Sequence, residues 1–235
     1  MQRQLDEKLK ELQQKLVLMG RLSESMIDSA LRLLIERNEA HATAVFSKEG
    51  EVNELQIEVD DRAIKLTALQ QPVGGDVRFL FMASRISTEL ERIADQAVNI
   101  CQNGLEVLRM PPLKPMIDLP IMAQVAQQMV RDALDALVAH DCALAEMVMR
   151  DEQHVDAFRN QIFRELLTYM MADPGTIQRA IALILISRNL ERVGDHATNI
   201  AEEVIYLVKG QDVRHHHETL TRAGEQGSKS VAPAT

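Results

Sequence analysis

ELERIADQAVNI, Glu89 to Ile100, is restated one hundred residues later as NLERVGDHATNI, Asn189 to Ile200. In each copy the apolar residues fall four and three apart: Ile86, Leu90, Ile93, Ala97 and Ile100, then Ile186, Leu190, Val193, Ala197 and Ile200. That spacing writes one apolar stripe along an α-helix. The echo extends beyond these helices. MIDSALRLLIERNEAHATAVFSKEGEVN, residues 26–53, aligns with MVRDALDALVAHDCALAEMVMRDEQHVD, residues 129–156, at an offset of 103. The chain is therefore two copies of one three-helix unit.

Punctuation places the helices. Leu5, Leu9, Leu12, Leu16 and Met19 start a helical period that runs to Ile35. A break near Asn38 leads into a second helix over about 39–70. Gln71-Pro-Val-Gly-Gly-Asp76 reads as a loop, with Asp76 as N-cap of a third helix ending near Arg109. Met110-Pro-Pro-Leu-Lys-Pro115 stops any helix, because proline lacks the amide donor. Three more helices are predicted at about 117–139, 141–171 and 176–209, with Thr176 capping the last. The expected architecture is all-α: two tandem pseudo-symmetric three-helix bundles of long antiparallel helices. Residues 1–110 form the first repeat, 111–116 the Pro-rich linker, 117–210 the second repeat, and 211–235 a polar, disordered tail.

Composition narrows the function. With 26 basic against 35 acidic residues the net charge is −9, and neither a basic stripe nor stacking aromatics are present, which argues against nucleic-acid binding. The two cysteines, Cys101 and Cys142, match no metal or redox spacing and suit free thiols in a reducing cytoplasm. MQRQLDEKLK has no apolar core of a signal peptide, and no run of 18 apolar residues occurs, so a cytoplasmic location is expected.

The repeated carboxylates carry the chemistry. At about 100° per residue, Glu91 and Asp95, like Glu191 and Asp195, lie roughly opposite the apolar stripe and are expected to face outward. Residues four apart are neighbours on a helix surface, so each pair presents its oxygens at one place. Glu152 and Asp156 repeat the spacing on the fifth helix, and their counterparts on the second are Glu49 and Asn53. Two readings stand. One is a solvated acidic face, with Glu191 paired to Arg188. The other is a metal site, since paired carboxylates repel unless a cation lies between them, and hard oxygen donors favour iron, manganese, magnesium or calcium. Asn53 contributes a neutral oxygen, which makes the first site the weaker of the two.

The paired LERIADQAVNI and LERVGDHATNI, the QPVGGDVR loop at 71–78, LTYMMADPGTI at 167–177 and IYLVKGQDVRH at 205–215 together resemble the PhoU family of phosphate-signalling regulators. The likeness runs from about residue 10 to 215. It implies a non-enzymatic, commonly dimeric adaptor between the phosphate ABC transporter, through its ATPase subunit, and a sensor histidine kinase. Such an adaptor holds phosphate-starvation signalling and phosphate uptake down, and reaches the membrane only through its partners. It also implies divalent or ferric ions (iron, manganese, magnesium or zinc) on Glu49, Asn53, Glu91 and Asp95, and on Glu152, Asp156, Glu191 and Asp195. The chain departs from the family pattern at Asn53, which stands for a carboxylate, and at Gly74-Gly75, which loosen the capping loop.

Other chemistries fit less well. A ferritin-like di-metal protein needs inward Glu-x-x-His motifs, and the nearest approach is Asp151-x-x-His154 without a partner copy. No His-Glu-x-x-His motif supports zinc hydrolysis, and no Gly-rich loop supports a phosphate site. A metal-free helical adaptor remains open. His196 reads as a solvated histidine or a further ligand, His215-His216-His217 as an adventitious metal binder, and Arg92 and Arg192 as ion-pair partners or docking residues. The Met147-Val-Met149 and Met170-Met171 stretches read as core filler.

Overall fold

A computed structural model describes residues 2–213, so nearly all of the expected tail and the His215-His216-His217 run lie outside the described residues. Six long helices follow in order: α1 (Gln2–Glu36), α2 (Ala40–Gln70), α3 (Gly75–Leu108), α4 (Asp118–Ala139), α5 (Cys142–Ala172) and α6 (Ile177–Lys209), with a short 3₁₀ turn, Pro174–Thr176, before α6. No described helix is long and apolar enough to cross a membrane.

Every residue of the two repeated stripes is fully buried, from Ile86 to Ile100 and from Ile186 to Ile200. Each buried Leu or Ile side chain contributes roughly 1.5–3 kcal/mol, so these two helices anchor their bundles. They also anchor each other. α3 packs against α1 and α2 in its own half and against α6 across the seam, while α6 packs against α4 and α5. α1 meets α4 to complete the seam. There the approach is close: a Cβ on Gly20 would lie 2.1 Å from Leu134 Cδ1.

Capping differs in detail from the sequence-based expectation. Asp76 lies inside the first turn of α3, where a carboxylate favours the helix dipole, and the N-cap position is Gly74 at φ 57°. A side chain there would be strained, so the first Gly of the loop sets the helix entry. Thr176 holds the N-cap position of α6, yet its hydroxyl donates back to Tyr169 O at 3.1 Å and Asp173 O at 2.7 Å instead of accepting from the new helix. Asp141 caps α5 by accepting from the Ala143 and Leu144 amides at 2.8 and 3.1 Å.

The Pro-rich connection is docked. Arg37 donates to Leu108 O and Met110 O at 2.8 and 2.7 Å, and Arg179 donates to Pro111 O at 3.1 Å. Lys114 is buried and ion-paired with Glu165 and Asp118. These contacts fix the approach of one repeat to the other.

Candidate functional site

Because α3 and α6 are central, the acidic rows do not face open solvent as the single-helix projection suggests. Glu91 and Asp95 are half-buried, as are Glu191 and Asp195, and the exposed positions beside them are Arg92 and Arg192. Neither arginine forms an ion pair among the described residues, which leaves the ion-pair expectation for them without a partner.

In the first half, Glu91 on α3 feels the charges of Asp95 on its own helix and of Glu49 on α2. Burial, with the charges of Asp95 and Glu49, raises the Glu91 pKa above its ordinary 4.5, against the opposing pull of Arg92 and His196. Asn53 Oδ1 is buried and accepts no hydrogen bond. None of Glu49, Glu91 and Asp95 is ion-paired among the described residues. Carboxylates held near one another without an ion-pair partner disfavour each other's charged form.

The second half is built differently. Burial, with Glu191 and Asp156, raises the Asp195 pKa above 3.8. Glu191, however, is paired across helices, with Arg159 Nη2 of α5 at 3.0 Å from its Oε1, in place of the intrahelical Arg188 pairing expected from sequence. The same Nη2 is 3.8 Å from Asp156 Oδ1, and Glu152 Oε2 accepts from Thr198 at 3.4 Å. Among the described residues, no three acidic, imidazole or thiol side chains of either half already converge as a metal-holding group.

The seam holds polar groups that the repeat comparison passes over. His196 Nδ1 and Asn199 Nδ2 of α6 lie 2.8 and 2.9 Å from Glu89 Oε2 of α3. His196 is thus committed to a carboxylate of the other half. Arg85 pairs with Glu203 at 2.9 Å, and Arg78 donates to Leu207 O at 3.1 Å while lying over the Tyr206 ring. Repetition is a signal of sameness, and the pairing of Glu89 with His196 is not repeated: Asn189 matches Glu89, and Gln96 matches His196. Only a pairing search between the halves would single them out.

The ends of the α2–α3 and α5–α6 hairpins expose matching apolar residues: Ile64 and Phe81 on one, Leu167 and Ile181 on the other. Beside the first pair lies a groove of about 590 Å³.

Two acidic crevices at equivalent places in two fused three-helix units coincide with a known family. The PhoU domain model matches twice, over residues 16–104 and 119–204, once per repeat. The chain belongs to the PhoU family. It is 39% identical over 208 residues to the phosphate-specific transport system accessory protein PhoU homolog of Zymomonas mobilis, covering 88% of each chain. The Pseudomonas putida homolog is 35% identical over 98% of this chain and 90% of its own length. The crystal structure of PhoU from Pseudomonas aeruginosa superposes with a TM-score of 0.84 at 33% identity, over 88% of this chain and 99% of that one. PhoU proteins are regulatory accessory proteins and not enzymes.

Proposed function

We propose that the chain is the cytoplasmic accessory regulator of a phosphate-specific transport system. It works as an adaptor between the transporter ATPase and a sensor histidine kinase, and holds phosphate-starvation signalling and phosphate uptake down when phosphate is plentiful. The observation that carries this reading is the double PhoU match, together with relatives named as phosphate-transport accessory proteins over nearly the whole chain. The paired apolar hairpin ends support an adaptor, since exposed apolar residues at matched positions are suited to protein docking, including a homodimer.

The first acidic crevice fits a hard cation. Glu49, Asn53, Glu91 and Asp95 can offer oxygen donors, no basic side chain is ion-paired with their carboxylates among the described residues, and Asn53 Oδ1 lacks a partner. Iron, manganese or magnesium suits that set better than zinc, which favours nitrogen and sulfur donors. A bound cation would relieve the repulsion among these carboxylates and stiffen α2 against α3.

Titrating the purified chain against the transporter ATPase and the cytoplasmic part of the kinase tests the adaptor role. Saturable binding to both is expected, and binding to neither would overturn it.

A further inference from the structure

The two acidic crevices are equivalent by repeat and differ in make-up, with three carboxylates and Asn53 in the first and four carboxylates and Arg159 in the second. Position 159 of α5 corresponds to position 56 of α2, and the residues there are Arg159 and Gln56. Gln56 is neutral and donates to Thr88 at 3.4 Å, so it brings no charge to the first crevice. Arg159 reaches from α5 to α6. Its Nη2 lies 3.0 Å from Glu191 and 3.8 Å from Asp156, and its Nη1 lies 3.0 Å from Asn160 Oδ1. Its Nε is buried without an acceptor. A guanidinium is always charged, and its planar fork matches carboxylates. Placed between two of the four acidic side chains, it sets one positive charge where a cation would otherwise lie.

We infer that Arg159 is the resident counter-ion of Glu191 in the second acidic crevice and that its guanidinium occupies the place a metal ion would take between α5 and α6, so that this crevice does not take a metal ion while Arg159 is in place. The second set therefore does not fit a metal, although it has more carboxylates than the first. The extra carboxylate and the arginine belong together: the half with Asp156 has Arg159, and the half with Asn53 has Gln56. A divalent cation entering the second crevice would have to displace a tethered guanidinium whose local concentration is far above that of the free ion. The inference takes from the proposed function only the premise that bare acidic pairs recruit hard cations.

The test is Mn²⁺ binding followed by electron paramagnetic resonance on the full chain, comparing wild type, Asp195→Asn, Arg159→Gln, Arg159→Lys and Arg159→Gln with Asp195→Asn. Arg159→Gln is expected to bind one more Mn²⁺ per chain than wild type, and adding Asp195→Asn should remove it. Arg159→Lys keeps the charge and should bind as wild type does. Should Arg159→Gln unfold without metal, a rise in its Tm on adding Mn²⁺, absent from the Asp195→Asn combination, reads the same gain. An unchanged Mn²⁺ count in Arg159→Gln, or loss of bound Mn²⁺ from wild type on Asp195→Asn alone, would overturn the inference. The first crevice is read independently by Asp95→Asn, so a wild type that binds no Mn²⁺ there sinks that assignment and not this one.

Discussion

His196 Nδ1 on α6 lies 2.8 Å from Glu89 Oε2 on α3, joining the two repeats through a hydrogen-bonded contact that neither repeat contains alone. Both side chains are mostly buried. For Glu89, burial pushes the pKa up, but the hydrogen bonds from His196 and Asn199 outweigh it, and the net shift is downward from 4.5.

Glu89→Gln is expected to lower stability by about 1.5–3 kcal/mol near neutral pH, the range for hydrogen bonds to charged groups. The sign follows from linkage: a depressed carboxylate pKa contributes stability above the unfolded value, and that stability is lost as pH falls through the lower folded value. Urea unfolding of wild type and variant should therefore differ most above pH 4.5 and converge at more acidic pH. A difference that persists unchanged in acid would contradict the pairing.

Glu91 carries the opposite sign. Its raised pKa means that the charged form is disfavoured in the metal-free fold above the folded pKa, and this penalty is relieved as pH falls through that value toward 4.5. Glu91→Gln should therefore raise the neutral-pH Tm in EDTA. With Mn²⁺ added, wild type should gain Tm and the variant should gain less. A lower Tm for the variant in EDTA would show that Glu91 is already compensated.

Three glycines separate packing from helix propensity. A Cβ on Gly20 would meet Leu134 at 2.1 Å, and one on Gly104 would meet Leu33 at 2.7 Å, whereas Gly50 has open space around it. Gly50→Ala should stabilise by up to about 1 kcal/mol through propensity alone. Gly20→Ala must displace Leu134 at the α1–α4 seam, and overpacking of about 1–3 kcal/mol exceeds that gain. Denaturant midpoints should move in opposite directions for the two variants.

The thiols should behave differently. Cys101 is fully buried, and burial pushes its pKa up to about 11. Cys142, at the start of α5, is half-buried. A thiol reagent at neutral pH should modify Cys142 in the native chain and reach Cys101 only after unfolding. Equal labelling rates in the native state would contradict the packing around Cys101.

The helices are legible in the sequence because local forces write them: proline and glycine stop them, and the Leu and Ile spacing gives each a core face. The acidic residues are legible as pairs because the i, i+4 spacing is itself local. Their surroundings are not. A projection of α3 alone sees one core and one water face, but α3 also packs against α6, so the row with Glu91 and Asp95 lies half-buried beside α2. Arg159 escapes for a related reason. It reads as one more charge on the exposed side of α5, and only the position of α6 shows that it reaches Glu191. The Thr176 hydroxyl is similar, since its choice of acceptors depends on the carbonyls left free at the end of α5.

The central claim concerns phosphate signalling, and it is tested most directly by deleting the gene from the cell that encodes this chain and reading a phosphate-starvation reporter in phosphate-rich medium. The account predicts high reporter output in the deletion strain, returned to low output when the wild-type chain is supplied again. Low output that the deletion leaves unchanged would contradict it.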